Sequence, residues 1–305
     1  MTRHTVGVLA VLAAALLWGT TGTAASLVPE VGALAIGSAA MGIGGLLQAL
    51  IALPSLRRSW CTLRAQPGMI MLGAVSVAIY PLAFYGSMRL GGVALGTVIS
   101  LASAPLFAAA LEAVADRTRL RRPWYLAAAL GIAGSVLLCL PQAPGADLAG
   151  TRIPVGVLLG LLAGVTYALY SYAVRRLMLH GAERAASMGI VFGSGAILLL
   201  PVLLATGRAI LSGPAPLAVT AYMALIPMFL GYVLFGLGLA RIPASTATLL
   251  TLSEPAVAAV LAVWIVGEHI GLLGWIGLGV IGLSLLTELR VRAPASGRTR
   301  ATARS

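Results

Sequence analysis

The sequence predicts an all-α integral membrane protein: ten transmembrane helices forming two inverted-topology five-helix repeats, with N- and C-termini cytoplasmic. Three observations predict it: the density of apolar runs, the placement of the arginines, and a partial copy of the first half in the second. Of 305 residues, 60% are hydrophobic and 9% charged, with a mean hydropathy of +1.01. A soluble domain is about a quarter charged, so a large soluble core does not account for this chain.

Ten apolar stretches follow one another at about 6–27, 31–53, 68–88, 92–113, 123–141, 154–174, 187–206, 217–239, 243–266 and 270–288. Each approaches the length needed to cross about 30 Å of hydrocarbon at about 1.5 Å per residue. Lipid-facing backbone must satisfy its own hydrogen bonds, which makes helices the expected form of continuous apolar runs. The first stretch, "MTRHTVGVLAVLAAALLWGTTGTAASL", begins like a signal peptide. Its apolar part is too long for one, and it reads as an uncleaved first span. The segment "LPQAPGADLAGTRIP" links spans five and six. The expected units are residues 1–146 and 147–305, the second ending in a short basic cytoplasmic tail from about residue 290.

Every basic residue behind the net charge of +12 is an arginine. With the N-terminus inside, all of them fall on the cytoplasmic side except Arg89, Arg152 and Arg208. This is the positive-inside pattern, and removing any one span would scramble it. The charge therefore reads as topology and not as nucleic-acid binding. Cys61 and Cys139 fall at opposite faces and read as unpaired thiols.

The stretch "FYGSMRLGGVALGTVISLASAPLFAAALE" resembles "LFGLGLARIPASTATLLTLSEPAVAAVLA", with Gly86, Ser103 and Pro105 matching Gly236, Ser253 and Pro255. Five spans per half is an odd number, so the second half enters the membrane from the opposite face. Inverted repeats of this kind place a substrate near the midplane between the halves.

These features resemble the drug/metabolite transporter superfamily, in particular its EamA type. The resemblance rests on Trp18-Gly19 in span one, Pro105 in span four, Glu254-Pro255 in span nine, and Gly267-Glu268 followed by "WIGLGVIGLSLL". It covers nearly the whole chain and implies export or exchange of small metabolites by alternating access. Members often carry an arginine in span two, where this chain has Ala39, Ala40 and Met41. That departure puts in doubt any mechanism needing a buried arginine there.

Glu254 lies near the middle of its span. A mid-membrane acidic residue costs roughly 2.5–3.5 kcal/mol on insertion scales, so it must face the bundle interior or a wet cavity. It reads either as a gate or proton-coupling residue or as a protonated or hydrogen-bonded packing residue beside a kink. Pro105 and Pro255 each remove a backbone donor and are expected to bend spans four and nine alike, serving as gating hinges about which the cavity opens to one side at a time. Pro81 and Pro227 need be no more than ordinary membrane prolines.

The expected substrate-binding set is Trp18, Tyr80, Phe84, Tyr85, Ser100, Ser103, Tyr167, Tyr170, Tyr232 and Ser253. The aromatic residues of span three, and those of span six with Ser171, each share one helical face. Taken singly, any of these aromatics also reads as core packing or interfacial belt. Glu112 and Asp116, beside four arginines, read as surface ion pairs or part of an inner gate. Glu268 and His269 read as a solvated or salt-bridged pair in an outer loop. Gly156, Gly160 and Gly164, with Gly189 and Gly193, mark close helix approach.

The leading function is a secondary transporter of small neutral or amphipathic metabolites, amino acids among them. The near absence of charge in the spans argues against strongly anionic substrates. Within the family, the aromatic lining is most similar to exporters of neutral or aromatic amino acids of the YddG type. A multidrug or other metabolite permease of the same superfamily is the alternative; a non-transporting scaffold or membrane enzyme is the rival class. The chain lacks HExxH, GxSxG and paired intramembrane aspartates, and without lysine it has no Walker A motif. No cofactor, metal or nucleic-acid partner is expected. The expected partners are a small-molecule substrate, the lipid bilayer and protons, with the oligomeric state left open. The expected location is a bacterial inner membrane.

Overall fold

The computed structural model describes residues 2–139, 152–266 and 270–291. The expected linker, the Gly267-Glu268-His269 turn and the basic tail lie outside them. The described chain is helical: α1 Arg3–Gly19, α2 Thr21–Ser26, α3 Ala33–Arg64, α4 Pro67–Gly91, α5 Val93–Ala115, α6 Arg122–Cys139, α7 Arg152–Leu179, α8 Arg184–Thr206, α9 Pro214–Met223, α10 Gly231–Leu239, α11 Ala244–Leu250, α12 Ser253–Leu261 and α13 Leu272–Val291. Among the described residues, nine helical spans are long and apolar enough to cross a membrane, and α13 adds a shorter apolar one. Three spans are composite: α1 with α2, α9 with α10, and α11 with α12.

Local chemistry sets the ends. The Thr2 side chain caps α1 by accepting from the Thr5 amide at 3.2 Å. Pro67 and Pro214 occupy the opening turns of α4 and α9, where a missing amide costs nothing. Gly92, at φ 90°, is the whole connection between α4 and α5, and Gly181, at φ 95°, ends α7; glycine takes this left-handed backbone without a Cβ clash.

The packing has the symmetry of an inverted repeat. Spans two and seven (α3 and α8) pack on each other, as do spans five and ten (α6 and α13). Span three packs on span six (α4 on α7), and its symmetry mate is span eight on span one (α10 on α1). Exchanging the halves thus maps the contact pattern onto itself, and an odd span count per half puts the two-fold axis in the membrane plane.

Small residues permit the closest approaches. A Cβ on Gly134 would lie 2.8 Å from the Gly277 carbonyl oxygen, and one on Gly156 would lie 2.7 Å from the Gly91 amide. Gly189 and Gly193 sit against Ala52 and Ala49 of α3. Cys61 and Cys139 are free.

One end of the bundle gathers the arginine-rich connections. Arg58 bonds Glu183 at 2.7 Å, and Arg176 bonds Asp116 at 2.9 Å. The Arg175 guanidinium donates to the Leu239 carbonyl at 2.5 Å. Asp116 is therefore an ion-pair residue, as one reading had it, but Glu112 is not a surface one. Glu112 is buried and accepts from the Ala244 amide at 2.7 Å and from the Ser245 hydroxyl, so span four caps the start of α11.

The two halves differ in their proline breaks. Helix α5 runs unbroken through Pro105, whereas span nine is interrupted at Thr251–Leu252. The matched prolines thus differ in whether the helix is interrupted beside them. Pro255 has no amide to offer the Thr251 carbonyl four residues back, and the Glu254 amide takes that carbonyl at 2.9 Å instead. The tightened turn starts α12 and places Glu254 in its first turn.

Candidate functional site

A small cavity of about 40 Å³ opens between the halves, lined by Trp18, Thr21, Gly37, Ala40, Met41, Tyr80, Pro81, Phe84, Tyr85, Tyr167, Met228, Tyr232 and Glu254. These residues fall in the middle of their spans or toward the end opposite the arginine-rich connections. Toward the arginine-rich end Tyr170, Phe192, Phe235, Leu239 and Ile242 are all buried.

Trp18 is held by an unusual turn. Residues Ala224–Leu230 form a wide π turn around Pro227. The Gly231 amide consequently donates to the Ile226 carbonyl, one residue earlier than in an α-helix. The Pro227 carbonyl is left for the Trp18 indole, which donates to it at 2.9 Å. A Cβ at Gly231 would sit 2.7 Å from that indole nitrogen. Pro227 therefore has a specific role, and its reading as an ordinary membrane proline is corrected. Gly19, the other half of the Trp-Gly motif, lets span one lie against α12: its Cβ would meet Val257 at 2.6 Å and the Glu254 carbonyl at 3.1 Å.

The rings form one network drawn from both halves. Trp18 contacts Tyr232 at 4.8 Å and Tyr167 at 6.4 Å between centroids, and Tyr80 contacts Tyr167 at 5.5 Å. These three pairs are inclined by 52° to 80°, so the rings make walls around a space and not a parallel stack. The Tyr167 hydroxyl donates to Thr251 Oγ1 at 3.1 Å, and Tyr232 shares a 3.0 Å hydrogen bond with Tyr170.

Glu254 faces this space. Among the described residues its carboxyl has no hydrogen-bond or ion-pair partner, and no arginine or histidine lines the cavity. Tyr80, Tyr85, Tyr167 and Tyr232 share the cavity lining with it.

Of the residues the sequence singles out, Trp18, Tyr80, Phe84, Tyr85, Tyr167, Tyr232 and Glu254 line the cavity, and Ser100, Ser103, Tyr170 and Ser253 do not. Tyr170 lies behind Tyr232. Ser103 packs against Gly164, and its hydroxyl approaches the Ser100 carbonyl at 3.4 Å. The Ser253 hydroxyl is spent on the Leu250 carbonyl at 2.8 Å. Ser100 is fully buried. Pro105 and Pro255 are not in the lining either. The sequence reading missed Thr21, Gly37, Ala40, Met41, Pro81 and Met228. Most of these carry no reactive group, and the only sequence signal for the span-two members was the missing arginine.

A membrane bundle of two inverted five-helix repeats around a central cavity is the architecture of a secondary transporter. Residues 5–140 and 154–287 each match the EamA-like transporter family, and the chain belongs to that family. It is 37% identical over 283 residues to a Bacillus subtilis (strain 168) protein named "Uncharacterized transporter YwfM", covering 91% of this chain and 92% of that one. It is 28% identical over 233 residues to a Streptantibioticus cattleyicolor protein named "Probable terminal-alkyne amino-acid exporter", covering 74% of each. A solved crystal structure superposes with a TM-score of 0.78 at 19% identity, covering 95% of this chain and all of that one, which shows the fold alone. The chain is thus a multi-pass membrane transporter acting on a small molecule, and not an enzyme.

Proposed function

We propose that the protein exports or exchanges small neutral or amphipathic metabolites, amino acids and aromatic ones among them, by alternating access. The observation that carries this reading is the aromatic cavity between the halves, with packed residues at the arginine-rich end. Pockets of this kind bind solutes with an apolar body through a few placed polar groups. The distant similarity to a named amino-acid exporter supports the same class. The positive-inside rule makes the arginine-rich end cytoplasmic, so both termini lie inside, and a bacterial inner membrane fits the bacterial relatives.

In this reading Trp18, Tyr80, Phe84, Tyr85, Tyr167 and Tyr232 contact the solute. Glu254 is the group that meets its charge or a coupling proton, and Pro255 fixes the break that orients Glu254. The unit boundaries at 1–146 and 147–305 make each family repeat one half of the transporter. Counterflow in proteoliposomes of a radiolabelled panel of neutral and aromatic amino acids, their esters and the corresponding amines tests this. Saturable exchange of at least one of these solutes is expected, and its absence for the whole panel with folded protein overturns the reading. Saturable flux of lipophilic drugs alone would favour a multidrug permease.

A further inference from the structure

We propose that the chemical group this cavity recognises is a substituted ammonium on an aromatic or apolar body with no free carboxylate. The inference rests on the transport reading above and narrows its substrate class.

A lone carboxyl borders the cavity, with no cation among the described residues to balance it. Insertion of an unbalanced acidic group is costly, and a cationic solute supplies the missing charge while it is bound. The rings around it favour the same ligand. Trp18, Tyr80, Tyr167 and Tyr232 stand at steep mutual angles, and aromatic walls attract an ammonium through their negative faces. The Tyr80 and Tyr85 hydroxyls, without hydrogen-bond partners among the described residues, add acceptors.

A carboxylate on the solute finds nothing comparable. The Trp18 indole is already donated to Pro227, and the lining offers no guanidinium. Span two presents Gly37, Ala40 and Met41 to the cavity. Arg89, one turn beyond Tyr85, is exposed and does not line it. A zwitterion would bring its own unpaired negative charge beside Glu254, whereas a monocationic amine would not.

Calorimetry on the purified full-length protein in detergent tests this with four probes of one shape: phenethylamine, phenylalanine methyl ester, L-phenylalanine and phenethyl alcohol. The two amines without a free carboxylate are expected to bind, with the alcohol and L-phenylalanine each weaker by about tenfold or more, because a site built for one polar group rejects the analogue lacking it. Glu254→Gln is expected to erase the preference for amine over alcohol. Equal binding of amine and alcohol to the wild type overturns the proposal, and so does tighter binding of L-phenylalanine than of its ester. The wild-type comparison stands whether or not the variant folds. Counterflow of L-phenylalanine without amine preference would overturn this inference and leave the transport reading intact. Amine binding without counterflow of any solute would do the reverse.

Discussion

At the residue scale, the site depends on one lone acid and on the groups that place its neighbours. Trp18 reaches its position because a proline-centred π turn frees a carbonyl for it. Trp18→Phe removes that hydrogen bond and keeps most of the ring. The expected cost is about 1 kcal/mol of stability, read as a lowered unfolding temperature in detergent, together with weaker solute binding. Gly37 makes room for the Tyr85 ring, which would collide with a Cβ there. Gly37→Val is expected to displace Tyr85 and lower solute affinity with little loss of fold, since the ring can swing into the cavity; unchanged affinity in a calorimetric titration would contradict this. The aromatic residues announced themselves by helical spacing and by the oddity of tyrosine in oil. Gly37, Ala40 and Met41 could not, because small and apolar residues in a span look alike whether they face lipid, protein or a cavity.

At the element scale, span nine is the asymmetric member of the pair. Its break follows from Pro255, yet Pro105 at the matched position leaves α5 whole. A proline removes one donor in either context, and the sequence does not reveal whether the neighbouring amide will take over the freed carbonyl. Glu112 joins the same two spans at the arginine-rich end by accepting from α11. Glu112→Ala leaves the Ala244 amide without its acceptor. The expected cost is about 1–3 kcal/mol, read as a lowered unfolding temperature in detergent.

Helix contacts through glycine make a sharper comparison. Gly134→Val places its Cβ against the α13 backbone, which cannot yield, and is expected to destabilise by about 1–3 kcal/mol. Gly279→Ala, with open space around it, is expected to leave the unfolding temperature unchanged. The surface pair behaves differently. Arg58 holds the Glu183 carboxyl down to about 2, first by hydrogen bonding. A depressed carboxylate contributes stability above its unfolded value and loses it as pH falls through the folded one. Any difference in unfolding temperature between wild type and Glu183→Gln should therefore vanish toward pH 2 and shrink in high salt.

At the scale of the whole molecule, the ten spans and the inverted relation of the halves were legible. Both follow from properties that survive without three-dimensional information: hydropathy over a span, arginine placement between spans, and the parity of the span count. The cavity itself was only half legible, because it depends on which faces meet, and those are set by glycine contacts across the two halves. Transport by this fold depends above all on solvent reaching the middle of the bundle between the halves, at Met228 and Glu254. Cysteine labelling tests it most directly. In a protein carrying Cys61→Ser and Cys139→Ser, Met228→Cys should react with a charged, membrane-impermeant thiol reagent added opposite the arginine-rich loops, and bound solute should slow the reaction. Leu225→Cys, on the exposed face of the same span, should stay unreactive in lipid. Failure of Met228→Cys to react from either side, or a rate no different from that of Leu225→Cys, would contradict the account.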